Sequence, residues 1–394
     1  MAAGVRVGKF ERVNIAQRKP MDIWVFIFTM ALVMVGLWMV YDTSYIKSFD
    51  EFHITSNSWK PIAKQASLGA LGGMFALVFC WQFGYWRLRH LAIPLVIVGA
   101  ILLVAVYLPV IGKSLNGAHR WIRPGIQPSE FAKFFLILYM ARLFSRKDKD
   151  PRDFWEFVAP PIVAMIVYIV LIAKEPDLGT AFVMFLTGLT IFVVSPVKKR
   201  HLFTVITVLL VMAFLVIRFA SHGQGRIEAF LHPSTGQNTY SYQVKHSRWA
   251  VGSGQIMGVG LGQGREKYYL PQQDSDFIFA TVAEETGFAG CLVVISLILA
   301  LGLRGLWIAS QTQDPFGRLL AVGFSALILW QAFINMAVAT IMIPATGVPL
   351  PFISNGASAL VVMMASAGVL LSIAQHPLPP VKRRKEVVSN ANRS

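Results

Sequence analysis

Residues 274–303 read DSDFIFATVAEETGFAGCLVVISLILALGL. From Phe277 to Leu303 the run is apolar apart from a few small polar residues and the pair Glu284 and Glu285. A helix that crosses a bilayer needs about 20 mostly apolar residues, so this run predicts a membrane-spanning helix. Asp274 and Asp276 stand at its mouth, and the two glutamates follow about two turns deeper.

Nine further apolar runs flank it, at about 21–40, 66–86, 91–111, 129–144, 155–173, 178–195, 202–219, 316–343 and 357–374. The expected fold class is therefore an all-α polytopic membrane protein with about ten transmembrane helices. The basic residues before the first run resemble a signal peptide, but the run is too long and lacks a small-residue cleavage pattern. A retained first helix is expected.

Composition agrees. Of 394 residues, 55% are hydrophobic and only 14% charged, whereas soluble domains carry roughly 25% charged residues. That deficit excludes a soluble globular enzyme. The 36 Lys and Arg outnumber the 20 Asp and Glu, but a nucleic-acid binder would need its cations on one hydrated face, and here they lie between apolar runs. No nucleic-acid partner is expected. Cys80 and Cys291 lie within apolar runs and form no CxxC pattern, and the eight histidines are scattered.

Lys and Arg accumulate in the connections that would face the cytoplasm. With the N-terminus inside, that side holds Arg87, Arg89, Arg142, Arg146, Lys147, Lys149, Lys198, Lys199 and Arg200 as well as both terminal clusters. Both termini are expected in the cytoplasm. The domain reading is a cytoplasmic segment 1–20, a transmembrane domain 21–376 and a basic cytoplasmic tail 377–394. One long extracytoplasmic loop, 220–275, separates helices 7 and 8.

That loop is not a plain linker. It carries Tyr240, Tyr242, Trp249, Tyr268 and Tyr269 beside Arg226, Lys245, Arg248, Arg265 and Lys267, a combination suited to lipid headgroups. It is expected to lie on the membrane face, partly as short helices. Its segment GSGQIMGVGLGQG invites a phosphate-binding reading, but no strand–crossover unit surrounds it, so close backbone packing is the better expectation.

Polarity gathers in four outward clusters. Asp276 opens the span at 277, where the helix dipole favours an anion. In NGAHRWIRPGIQPSEFAK, Arg120 and Arg123 precede a turn, and Glu130 and Lys133 share one helix face as an ion pair or as ligand contacts. KEPDLGT forms a tight turn in which Asp177 can cap the next helix. PATGVPLPFISNGAS, with Ser354 and Ser358, is a rigid non-helical turn of the kind tolerated beside a cavity.

These four segments together resemble the SEDS family (shape, elongation, division and sporulation), in the family's order and spacing, and GVGLGQGREKYYLPQ is closer to its division branch than to its elongation branch. The resemblance implies a ten-helix peptidoglycan glycosyltransferase of the bacterial cytoplasmic membrane that polymerises lipid II on the outer face. It also implies a class B penicillin-binding protein as partner, with other divisome proteins. It places the catalytic aspartate at Asp276 and characteristic polar positions at Arg120, Glu130, Lys133 and Asp177. A carboxylate can serve as general base to a sugar hydroxyl, and Arg120, Lys133, Lys245 and Arg248 could offset charge on a diphosphate. Glu285, Ser354 and Ser358 complete the expected substrate contacts. No cofactor is required; a divalent cation (Mg or Mn) could assist, although no metal-ligand set is recognisable.

Two segments depart from the family pattern. Asp274 and Ser275 stand where His-Thr is usual, and Ser354, Asn355, Gly356, Ala357 and Ser358 replace Ser-Tyr-Gly-Gly-Ser. A flippase for a lipid-linked precursor is the main alternative, since Glu130, Lys133, Glu284 and Glu285 could line a polar pathway.

Overall fold

The computed structural model describes residues 19–50, 65–108, 112–115, 118–122, 125–146, 148, 150–151, 153–175, 177–198, 200–207, 221–231 and 239–375. The N-terminal segment before residue 19, the tail after 375 and most of the expected span 202–219 lie outside these residues. The helices are α1 (Ile23–Asp50), α2 (Gln65–Phe83), α3 (Tyr85–Ala105), α4 (Pro128–Phe144), α5 (Phe154–Lys174) and α6 (Leu178–Val194). They continue with α7 (Ser221–Leu231), α8 (Thr239–Ser253), α9 (Ile278–Gln311), α10 (Pro315–Ala339) and α11 (Ala357–Gln375).

Among the described residues, seven helices are long and apolar enough to cross a membrane: α1, α2, α3, α5, α9, α10 and α11. The shorter apolar helix α6 and the 17-residue α4 fill two more of the expected runs. This is a polytopic helical membrane protein. α10 and α11 form its interior, with 78% and 72% of their most apolar windows buried, whereas α2 and α3 bury only 22% each. The outer helices turn Leu71, Phe75 and Ile101 outward; helices that are apolar on their exposed face suit a lipid solvent.

The all-helical expectation needs one correction. Gly112–Leu115 (β1) and Ala118–Ile122 (β2) pair as a short antiparallel hairpin, so Arg120 lies on a strand. Within the long connection between residues 220 and 275, α7 and α8 and a short 3-10 turn at Glu266–Tyr268 supply ordered structure.

α9 is broken near its start. Gly287 has φ 65°, outside the helical region, a conformation that glycine adopts at little steric cost. The break frees backbone groups, and the glycine-rich segment satisfies them. Val259 N donates to Glu284 O at 2.9 Å and Gly260 N to Glu285 O at 3.1 Å, while Phe288 N donates to Gln255 O at 2.9 Å. A Cβ at Gly258 would lie 2.1 Å from Glu285 O, so these glycines serve close backbone packing.

The two deep glutamates complete this joint. Glu284 Oε1 accepts from Arg265 N at 2.6 Å and from Glu266 N at 3.0 Å. Glu285 accepts from Gly262 N at 3.1 Å and pairs with Lys267, whose buried ammonium also lies 2.8 Å from Asp42 Oδ2 on α1. Lys267 was expected at the lipid headgroups. It is instead a buried bridge between α1 and α9.

Candidate functional site

Asp276 sits two residues before α9 and keeps part of its surface open. Its position is held from behind: Asn335 Nδ2 on α10 donates to Asp276 O at 2.9 Å and to Val348 O at 2.7 Å. One amide thus fixes both the start of α9 and the proline-rich turn 344–356. Gln331, one helical turn earlier, donates to Pro349 O at 3.0 Å.

The turn presents Gly347 to the carboxylate. A Cβ there would stand 3.5 Å from Asp276 Oδ2 and 3.8 Å from Arg120 Nη1. With φ +79°, this residue also needs the left-handed region that glycine supplies. Arg120 reaches the same place from β2, with Nε donating to Glu175 O at 3.0 Å. Arg226 arrives from α7, and its Nη1 donates to Thr346 O at 3.1 Å and to Ala345 O at 3.3 Å. Asp177 caps α6 through Thr180 N, at 3.2 Å, and also accepts from Gln127 Nε2.

The electrostatics of this cluster are mixed. Burial raises the Asp276 pKa to about 6; Arg120 and Arg226 hold it down, while Asp177 and Asp274 push it up. Such a carboxylate is ionised at neutral pH yet close enough to its pKa to accept a proton readily. Glu175 is fully buried, and neither carboxylate oxygen has a hydrogen-bond partner among the described residues. Burial and then the Asp177 charge raise its pKa to about 9, against the pull of Arg120. It is a neutral carboxylic acid at pH 7.

The remaining expected site residues divide. Lys133 Nζ lies 2.9 Å from Glu130 Oε1 and donates to Gln331 Oε1 at 2.6 Å. Both charged side chains are buried, so they anchor α4 to α10 instead of opening onto a ligand. Ser354 Oγ donates to Ser275 O at 2.6 Å and accepts from Leu350 N at 2.7 Å. Ser358 Oγ accepts from Gln127 N at 3.2 Å. The Ser354 hydroxyl shapes the turn, and the Ser358 hydroxyl ties the start of α11 to the start of α4. Glu285 holds the glycine-rich joint. Lys245 and Arg248 are exposed on α8, with Lys245 Nζ 4.7 Å from the centroid of the Trp249 ring, and neither is among the charges acting on Asp276.

The two departures from the family pattern touch each other. Asn355 N donates to Asp274 O at 2.7 Å, and its side-chain amide donates to Asp274 Oδ2 at 2.9 Å. Sequence reading treated them as separate, because 81 positions divide them. Arg226, expected at the lipid headgroups, and Glu175, within KEPDLGT, had no expected contact with the surroundings of Asp276, because a charge within a polar segment does not specify its spatial neighbours.

Among the described residues no three His, Cys, Asp or Glu side chains converge as a metal-ligand set; the positive charge around Asp276 comes from arginines. A separate cavity of about 400 Å³ lies by the start of α1 and the end of α9, lined by Lys19, Asp22, Tyr85, Arg304 and Asp314. It contains none of the expected site residues.

Comparison with known proteins agrees with this architecture. Residues 23–377 match the FtsW/RodA/SpoVE family model, described as a cell cycle protein. The probable peptidoglycan glycosyltransferase FtsW of Geobacter metallireducens is 33% identical over 366 residues, covering 92% of this chain and 96% of that protein. The protein of the same name from Trichlorobacter lovleyi is 36% identical over 367 residues, covering 90% and 95%. A solved structure described as a peptidoglycan synthase complex that coordinates polymerization and crosslinking has a chain that aligns with a TM-score of 0.71. At 24% identity, covering 90% of this chain and 97% of that one, it shows the same fold. The chain belongs to the FtsW/RodA/SpoVE family of cell cycle proteins, the group known as SEDS.

Proposed function

We propose that this protein is a peptidoglycan glycosyltransferase that polymerises lipid II into glycan strands for cell division, with Asp276 as general base. The observation that carries the reading is the placement of Asp276. It is a partly open carboxylate at a helix start, with a pKa raised to about 6 and two arginines acting on it, in a family whose relatives include probable peptidoglycan glycosyltransferases.

The chemistry follows from these groups. Asp276 takes the proton of an acceptor sugar hydroxyl as its oxygen bonds to the donor's anomeric carbon. The bond from that carbon to the diphosphate oxygen breaks, and the electron pair leaves with the diphosphate. Cations beside the leaving group stabilise the charge that develops there. A single base with no covalent intermediate inverts the anomeric centre.

Ten spans with both termini in the cytoplasm would put Asp276 on the outer face of the bacterial cytoplasmic membrane. A class B penicillin-binding protein would crosslink the strand, and other divisome proteins would join the assembly. A divalent cation could join the diphosphate, held by no more than two of the acids near Asp276. The flippase alternative draws less support: Glu130, Lys133, Glu284 and Glu285 each make an internal bond to the surrounding protein.

The test is polymerisation of fluorescent lipid II by the purified full chain with its transpeptidase partner. Wild type is expected to give long strands and Asp276→Asn none. Equal polymer from both would remove the base from Asp276, and transbilayer lipid movement without polymer would favour the flippase.

A further inference from the structure

Arg226, expected with the other loop cations at the lipid headgroups, instead acts on Asp276 beside Arg120. It comes from α7, a helix of 11 residues in the long connection that precedes α9. Its guanidinium is held on two sides. Nη1 donates to the carbonyls of Ala345 and Thr346, and the ring of Tyr240, at the start of α8, lies 5.3 Å from Cζ. Nε is buried and has no hydrogen-bond partner among the described residues.

The three residues Ala345, Thr346 and Gly347 relate the two arginines. Carbonyls 345 and 346 hold Arg226, and Gly347 faces both Arg120 Nη1 and Asp276 Oδ2. Arg120 is braced in the same manner by Glu175 O. Two guanidinium groups pinned by backbone carbonyls lose little freedom when they bind, and Arg presents several N–H donors in a fixed fork that matches phosphate oxygens. A donor buried without a partner is costly in the free protein, and an anionic oxygen would satisfy Nε.

We propose that Arg226 is a diphosphate-binding residue of the lipid substrate site, acting with Arg120 as a pair of arginines astride the 345–347 turn. Resting on the glycosyltransferase reading, the proposal assigns the leaving-group side of that site to an extramembrane helix. It also replaces Lys133, Lys245 and Arg248 as the cations expected there, since Lys133 is buried against Glu130 and Gln331, and Lys245 lies over Trp249.

The test measures binding, not turnover. Wild type, Arg226→Ala, Arg226→Gln and Arg226→Lys, each as the full chain in nanodiscs, are titrated with a polyprenyl diphosphate and with the matching monophosphate. An arginine–phosphate contact is expected to contribute about tenfold or more to affinity. Arg226→Ala should therefore weaken diphosphate binding by about that factor and reduce the preference over monophosphate, with Arg226→Lys in between.

Arg226→Gln separates the roles, because its amide remains a hydrogen-bond donor beside the turn but carries no charge for the diphosphate. Diphosphate binding by Arg226→Gln equal to wild type would leave Arg226 as a tether of the turn and overturn the proposal. A folded Arg226→Ala with unchanged affinity and unchanged preference would overturn it as well. Because no polymer is measured, a failure of the glycosyltransferase reading would appear in the lipid II assay and leave this result distinct.

Discussion

Single side chains set the pH behaviour of the site. Polymerisation is expected to rise as pH passes through about 6, when Asp276 ionises, measured as kcat/KM against pH. Asp177 raises that pKa by like-charge repulsion. Asp177→Asn, which can still cap α6, should therefore move the acidic limb to lower pH. The linked stability effect has the opposite sense to that of a salt-bridged acid. The folded pKa of Asp276 lies above its ordinary 3.8, so the folded state binds the extra proton and loses stability as pH rises through 3.8 to about 6. Asp276→Asn should then abolish activity while leaving the melting temperature at pH 7.5 equal or higher. Glu175, raised to about 9, works in the same sense over a wider window, so Glu175→Gln should gain more Tm at pH 8 than at pH 5. A Tm gain from Glu175→Gln that does not grow with pH would contradict its protonated state. At the same scale, Asp274 and Asn355 are joined by two hydrogen bonds, and a double-mutant cycle between them should show coupling of about 0.5–3 kcal/mol.

Elements meet through buried charge. Lys133 joins α4 to α10 and Lys267 joins α1 to α9. Removing one partner of a buried pair leaves an uncompensated charge and typically costs about 3–5 kcal/mol. Glu130→Ala should therefore lower thermal stability strongly, and the pair Glu130→Gln with Lys133→Met should recover part of the loss. If Lys133 instead contacted substrate, polymerisation would fall in that pair even where stability returned. These acids and bases sit at the depth where a polar pathway was an alternative, and their geometry gives them structural partners. The hairpin that carries Arg120 had a local signal, the Asn-Gly dipeptide at 116–117, which is a strong hairpin turn sequence.

For the whole molecule, orientation is a consequence of charge distribution and can be read by chemical access. Met257 is exposed at the glycine-rich joint, and Gln313 is exposed in the connection between α9 and α10. In intact spheroplasts an impermeant maleimide should label Met257→Cys but not Gln313→Cys; the native Cys80 and Cys291 are buried. Labelling of both, or the reverse pattern, would overturn the topology. The apolar runs determined by themselves that this is a bundle of membrane helices, because a lipid solvent demands long apolar segments with internally paired backbone. The local motifs likewise marked Asp276 and Asp177. Only the tertiary structure decided which charges face one another. It buried Lys133, Lys267 and Glu285 in structural pairs, brought Arg226 and Glu175 to the cluster around Asp276, and joined Asp274 to Asn355. Electrostatic energy depends on distance and on burial, and sequence separation specifies neither.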